Sequence, residues 1–266
     1  MSLKFHLLNL SFILVLLMLP DSIAALHSQE DRQQNLIARL ANGGEEERFD
    51  SIAQLVVLFG ATPGSATEQT FNALNAGLRR DNSPLIRALS ARALENCCGE
   101  RAVQPLLASL TDEREIAVRK AILYALARHH SPQIAPALIP SLRDKKQETR
   151  AAAAYALAEI GDSSSAGPLL NVLQKRRGDE DAFARAQAAR GLGKIGLRPA
   201  MNALLDSLSR DRSPEVQRES ARALGLLATA QDTQVIMALR EVILHSDPYL
   251  IDIAEDALKS IRLRMP

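Results

Sequence analysis

Thr149-Arg150-Ala151-Ala152-Ala153-Ala154-Tyr155-Ala156-Leu157-Ala158-Glu159-Ile160-Gly161 is the stretch that decides the fold. It is Ala-rich, carries the large aliphatic residues Leu157 and Ile160 in its second half, and stops at a glycine suited to a left-handed helix cap. The Ala-Leu pair at its heart recurs at Ala93-Leu94, Ala125-Leu126, Ala223-Leu224 and Ala257-Leu258, with Gly191-Leu192 in the same series and Leu55 beginning it. Successive leucines are 39, 32, 31, 35, 32 and 34 residues apart. A second series lies earlier in each unit: Leu40, Leu78, Leu110, Leu142, Leu173, Leu208, and Ile243 or Leu244. Each repeat therefore holds two apolar helical stripes, such as Leu106, Leu107 and Leu110 followed by Ile122, Ala125 and Leu126.

The punctuation agrees. Ser83-Pro84, Ser131-Pro132, Ser213-Pro214 and Asp247-Pro248 place a capping side chain before a proline, a pairing suited to helix starts. Pro105, Pro136 and Pro168 recur ahead of first helices, and Gly99, Gly161 and Gly196 follow second helices. Small residues at the seam let stacked helices approach closely, and each hairpin buries its apolar side only against its neighbours. Aromatic residues are 3% of the 266, with no Trp, which argues against a strand-built sandwich or barrel. Lys+Arg 32 against Asp+Glu 31 gives +1, so neither nucleic acid nor an anionic membrane is an expected partner.

The stretches from Val118-Arg119 to Leu126, Thr149 to Gly161, Ala184-Arg185 to Gly196 and Val216 to Gly225 resemble HEAT repeats, in the short Ala-rich form of the phycobilin-lyase-type HEAT-like family. The resemblance covers residues 31–266. It implies an all-α, right-handed α-solenoid of about seven HEAT-like helical hairpins. It says little about function, because such repeats serve scaffolds, lyases and metal enzymes alike.

The first twenty-four residues read as an address. Lys4 precedes the uncharged, Leu-rich run Leu7 to Leu19; Pro20-Asp21 ends it, and Ser22-Ile23-Ala24 offers small residues for cleavage. The run is shorter than the roughly 20 apolar residues that span a bilayer. The expected organisation is a signal peptide over 1–24 and a solenoid over 25–266, exported to a bacterial periplasm or outside the cell. Leu36–Gly60 is the expected amino-terminal cap repeat, and Ala61 to Thr70 a linker that attaches it loosely.

Several motifs invite a chemical reading. Gly191-Leu192-Gly193-Lys194-Ile195-Gly196 spells the dinucleotide pattern, but it falls at the end of a helix, not between strand and helix. It is in register with Ala156 to Gly161 and is read as repeat consensus. Cys97-Cys98 is the only cysteine pair; Cys97 takes the core place of Ile160 and Ile195, so packing is expected there in preference to a redox role. His129-His130 is a poor chelate by itself, since neighbours on a helix diverge. The HEAT-like hydroxylases resembling deoxyhypusine hydroxylase need repeated His-Glu pairs, and the chain has none. No metal and no cofactor is expected. Arg87, Arg119, Arg150 and Arg185 stand seven residues before their leucines, with Arg218 shifted by one; Asp81, Asp112, Asp144 and Asp211 precede them. The regular register points to an internal ladder locking neighbouring repeats; the alternative is an anion-binding stripe.

The informative surface lies two residues before each repeat leucine: Arg92, Tyr124, Tyr155, Arg190, Arg222 and Asp256. These positions avoid the apolar stripe, with Lys120, Arg128, Glu159, Lys194 and Arg218 beside them. In HEAT solenoids that side is the concave wall, and Arg with Tyr is the composition of binding hot spots. Arg92, Tyr124, Tyr155, Arg190 and Arg222 are thus the candidate partner-binding residues, for a protein or peptide. The expectation is a non-catalytic scaffold. The alternatives are a HEAT-like enzyme or cofactor carrier of bilin-lyase type, and a spacer that uses its ends. The charge runs Glu45-Glu46-Glu47 and Lys175 to Asp181 read as solvated loops.

Overall fold

The computed structural model describes residues 20–174, 180–245 and 247–263; residues 1–19 of the expected leader 1–24, and Lys175 to Asp179 of the charge run, lie outside them. Among the described residues the fold is an all-α solenoid, and its elements divide into two compact units, before and after the Cys98–Gly99 junction.

The first unit holds two hairpins: α1 (Pro20–Asn42) with α2 (Glu45–Ala61), and α3 (Glu68–Arg80) with α4 (Pro84–Cys98). Pro20 opens α1, so the expected cleavage point after Ala24 falls in its first turns. The core of this unit is Leu36, Leu40, Ile52, Leu55, Phe59, Leu74, Leu78, Ile86 and Leu94, the leucines of both sequence series among them. The first hairpin is more firmly held than the Gly/Ser/Thr-rich linker suggested. Buried Gln33 donates to the Ser65 carbonyl at 3.0 Å and accepts from the Thr67 amide at 3.1 Å and the Thr70 hydroxyl at 2.9 Å. One amide side chain thereby ties two loop groups, at Ser65 and Thr67, to the first turn of α3 at Thr70, and Thr67 caps that helix.

The second unit holds five hairpins. Their first helices are α5 (Val103–Asp112), α7 (Ile134–Leu138), α9 (Ala166–Gln174), α11 (Met201–Arg210) and α13 (Thr233–His245). Their second helices are α6 (Ile116–Leu126), α8 (Gln147–Ile160), α10 (Ala182–Ile195), α12 (Pro214–Leu227) and α14 (Pro248–Leu263). Pro105, Pro136 and Pro168 are each the third residue of a first helix, where the missing N–H has no intrahelical partner to lose. Pro140 acts differently: it ends α7 after five residues and turns the rest of that helix into a 3-10 segment, Ile139–Arg143.

The second helices stack side by side, α6 on α8, α8 on α10, α10 on α12 and α12 on α14. Small residues make this possible. A Cβ on Gly193 would lie 2.8 Å from the Ala223 Cα, and one on Gly225 would lie 2.7 Å from the Ala257 Cβ. On Gly191 it would meet the Ala158 Cα at 3.0 Å. The glycine pattern Gly191 to Gly196 is therefore a packing seam inside α10, closed by Gly196 at φ +81. Gly161 ends α8 in the same way at φ +68.

The arginine ladder is present, with its partners assigned by the fold. Arg48, Arg119, Arg185 and Arg218 reach forward to a carboxylate of the next repeat. Arg48 donates to Asp81 at 2.9 and 3.1 Å, and Arg185 to Asp211 at 2.7 and 2.8 Å. Arg119 pairs with Asp144, and Arg218 with Asp247 at 2.9 Å. The same carboxylates accept the backbone N–H two residues on, at Ser83, Lys146, Ser213 and Tyr249. Ser213 itself makes no capping bond, which corrects the expectation for the Ser-Pro pair; Asp211 caps instead. Arg87 and Arg150 also tie their own loops, donating to the carbonyls of Asp81 and Asp144. In the third repeat Glu113, not Asp112, supplies the loop carboxylate, because α5 runs through Asp112.

Candidate functional site

The positions two before the repeat leucines do face outward. Arg92, on α4 of the first unit, is exposed and has no acidic partner among the described residues. In the second unit, Tyr124 on α6 and Tyr155 on α8 meet edge to face, with ring centroids 5.3 Å apart and planes at 73°. This is a preferred geometry for two aromatic rings. Tyr124 remains 38% exposed and Tyr155 is half-buried. Burial pushes the Tyr124 hydroxyl pKa up, helped by Tyr155 and by the negative charge of Asp181. Asp181 caps α10 by accepting from the Phe183 amide at 2.8 Å.

Below the tyrosine pair the face becomes basic. Arg190 on α10 approaches Glu159 on α8 at 2.7 Å. Lys194, one turn further, donates to the Glu159 carbonyl at 3.0 Å and reaches its carboxylate at 3.3 Å. One carboxylate thus serves two cations, and the two helices are clasped across the seam. Arg222 on α12 pairs within its own helix with Glu219. Arg190, Lys194 and Arg222 keep 41%, 38% and 52% of their side-chain surface open.

The structure adds aromatic positions that the leucine spacing did not single out. Phe183 on α10 and Tyr249 on α14 both stand nine residues before their repeat leucines, and both are exposed. The Arg218 guanidinium lies 5.3 Å from the centroid of the Tyr249 ring, a cation–π contact between α12 and α14. Tyr124, Tyr155, Phe183 and Tyr249 are all the aromatic residues of 99–266; every one is on a second helix and none is buried. Asp256, the last of the row, is paired with Lys259 at 3.1 Å.

The other candidates resolve into structure. Cys97 is buried as expected, yet it is joined to Cys98 by a disulfide, which corrects the reading of packing alone. The pair sits where α4 ends and Gly99 turns the chain at φ +51. His129 is buried, with its Nδ1 3.9 Å from Glu100 and its Nε2 unpartnered. Burial lowers its pKa, with Glu100 opposing and Arg128 and His130 assisting. No group of three or more metal-ligating side chains occurs among the described residues. No helix among the described residues is long and apolar enough to cross a membrane.

The family profile for HEAT repeats matches residues 103–180 and 168–259. No curated protein matches the chain. Among solved structures, the chain is similar to YibA of Escherichia coli, with a TM-score of 0.55 and 18% identity, covering 89% of this chain and 95% of that one. It is similar to the CpcE–CpcF complex of phycocyanin lyase from Nostoc, with a TM-score of 0.52 and 19% identity over 86% of this chain and 94% of that one. An engineered protein gives a TM-score of 0.54 at 20% identity, covering 86% and 68%. At such identities the agreement is one of fold.

Proposed function

The chain belongs to the HEAT-repeat family, and we propose that it is a non-catalytic scaffold which holds a protein or peptide along the outward face of its second helices. One observation carries this reading: the second unit places all its aromatic side chains on those helices and leaves them unburied, while its core is built from Ala, Leu, Val and Ile. Burying an aromatic ring removes more surface from water than burying any aliphatic side chain, so a chain selected for stability alone would use its rings inside. Rings held at the surface beside arginines match what binding hot spots need. The leader reading adds that the scaffold works in a bacterial periplasm or outside the cell.

The test is a crosslinking pull-down from envelope extract. It compares the parent with a variant in which Arg92, Tyr124, Tyr155, Arg190 and Arg222 are changed to Ala or Ser, its helicity checked by circular dichroism. The expected result is a partner captured by the parent and lost by the folded variant. Equal capture by both would sink the reading and favour a spacer that uses its ends. Visible absorbance in the purified parent would favour the cofactor-carrying alternative.

A further inference from the structure

The chemistry of that face narrows what it can hold. On α10 and α12 three cations, Arg190, Lys194 and Arg222, are matched by two carboxylates, Glu159 and Glu219. Glu159 is shared by two of those cations, and all three cations keep more than a third of their side-chain surface open. The cation ends of these pairs stay open to solvent while Glu159 and Glu219 are mostly covered, so an incoming carboxylate can reach the cations from the open side. The free N–H groups of an arginine fork suit a carboxylate in particular. The Tyr124–Tyr155 pair beside them offers a rigid, partly open apolar surface.

Spacing then selects the ligand's conformation. Packed helix axes lie about 8–10 Å apart. A polyproline II chain rises about 3.1 Å per residue and repeats its facing every third residue, which is about 9.3 Å. Such a peptide laid across α8, α10 and α12 would present every third side chain to successive second helices. A β-strand alternates every second residue, about 6.6–6.8 Å, and falls out of step with that spacing.

Building on the scaffold reading, we infer that the second-helix face binds an acidic peptide segment of a partner protein in polyproline II conformation. An aromatic or proline residue of the peptide rests on Tyr124 and Tyr155. Carboxylates three and six residues further on meet Arg190 with Lys194, and then Arg222. Net charge of only +1 and the carboxylates Glu159 and Glu219 within the band disfavour a phosphate backbone as the occupant.

The test uses the full chain and fluorescein-labelled, proline-rich peptides, read by fluorescence anisotropy. One probe carries an aromatic residue followed by Glu at the third and sixth positions. The others place Glu at the second and fourth positions, replace both Glu by Lys, or are a thymidine oligonucleotide. The expected result is binding of the first probe at least tenfold tighter than any other, weakened by salt. Arg190→Glu with Arg222→Glu should reverse the preference toward the Lys peptide. Arg222→Glu alone, at the most open of the three cations, should weaken the first probe several-fold with helicity unchanged. Equal or tighter binding of the Lys peptide, the respaced peptide or the oligonucleotide overturns the inference. It also falls if the pull-down finds a partner lost by the row variant while none of these peptides binds; the scaffold reading then stands without it.

Discussion

In residues 99–263 the second helices and the first helices divide the work of one fold between different residues. The second helices are rich in Ala and Gly and pack along one another through backbone-close contacts: Ala151 to Ala154, Ala156, Ala158, Ala184, Ala186, Ala188 and Ala189 are all buried. Each first helix is shorter than its own partner, and the first helices use Leu106, Leu110, Leu169, Leu173, Leu204 and Leu208 to cover those partners. They touch one another only lightly. Repeat-to-repeat coupling therefore resides in the second-helix seam and in the ladder at its edge. The first helices supply hydrophobic cover. The outward side of the seam is then free to carry polar and aromatic groups, because packing makes no demand on it.

The largest effect should come from removing a buried anchor of the second helices. Leu192→Ala is expected to cost about 2–5 kcal/mol, because Leu192 is fully buried and the tight seam leaves little room to collapse into the cavity. Leu107→Ala on α5, half-buried, should cost visibly less in urea unfolding. Equal costs would show that burial does not set the difference between these two positions.

The ladder comes next. Asp211→Asn breaks a two-point bond to Arg185 between repeats and should cost about 1.5–3 kcal/mol at neutral pH, the range for hydrogen bonds to charged groups. Burial pushes the Asp211 carboxyl up, but the bonds from Arg185 and the Ser213 amide, with the arginine's charge, together hold it below the ordinary value. A lowered carboxylate pKa stabilises the fold above the unfolded-state value near 3.9 and loses that contribution as pH falls through the folded value. Parent and variant should therefore converge below about pH 4, and a gap that persists in acid would show that packing, not charge, was lost.

Glycine substitutions sharpen the comparison further. Gly193→Ala forces a Cβ to within 2.8 Å of the Ala223 Cα and should destabilise by about 1–3 kcal/mol, despite the better helix propensity of alanine. Gly167→Ala on the first helix α9 meets nothing within 4 Å and should instead stabilise by about 0.5–1 kcal/mol. Thermal melts of the two, run side by side, should move in opposite directions.

The smallest effect concerns His129, just beyond α6. Its pKa is lowered in the fold, chiefly by burial, so the unfolded state takes up the proton first. Stability is complete above the unfolded value near 6.5 and declines as pH falls below it. His129→Gln should flatten the slope of stability between about pH 5 and 6.5, as read from urea midpoints.

Residue by residue, the legible part was what recurs. Repeat leucines, the left-handed glycines at 99, 161 and 196 and the outward row could be read because a stacked repeat imposes the same burial on the same position each time. Arg48 obeys the ladder spacing, seven before Leu55, and was available to the same arithmetic. Gln33 was not, since it acts once, against a single loop. Phe183 and Tyr249 share a position that three other second helices fill with Ala117, Glu148 and Glu215, so no series announced them.

The sequence by itself determined an all-helical repeat architecture, its hairpins and which side of each second helix stays out of the core, because helical period and repeat length are local and periodic properties. Tertiary structure alone decided which arginine grips which aspartate, that Glu159 is shared by Arg190 and Lys194, and that Tyr124 and Tyr155 meet as a pair. Those choices depend on the offset between neighbouring helices, and that offset is set by how closely glycine and alanine let two backbones approach.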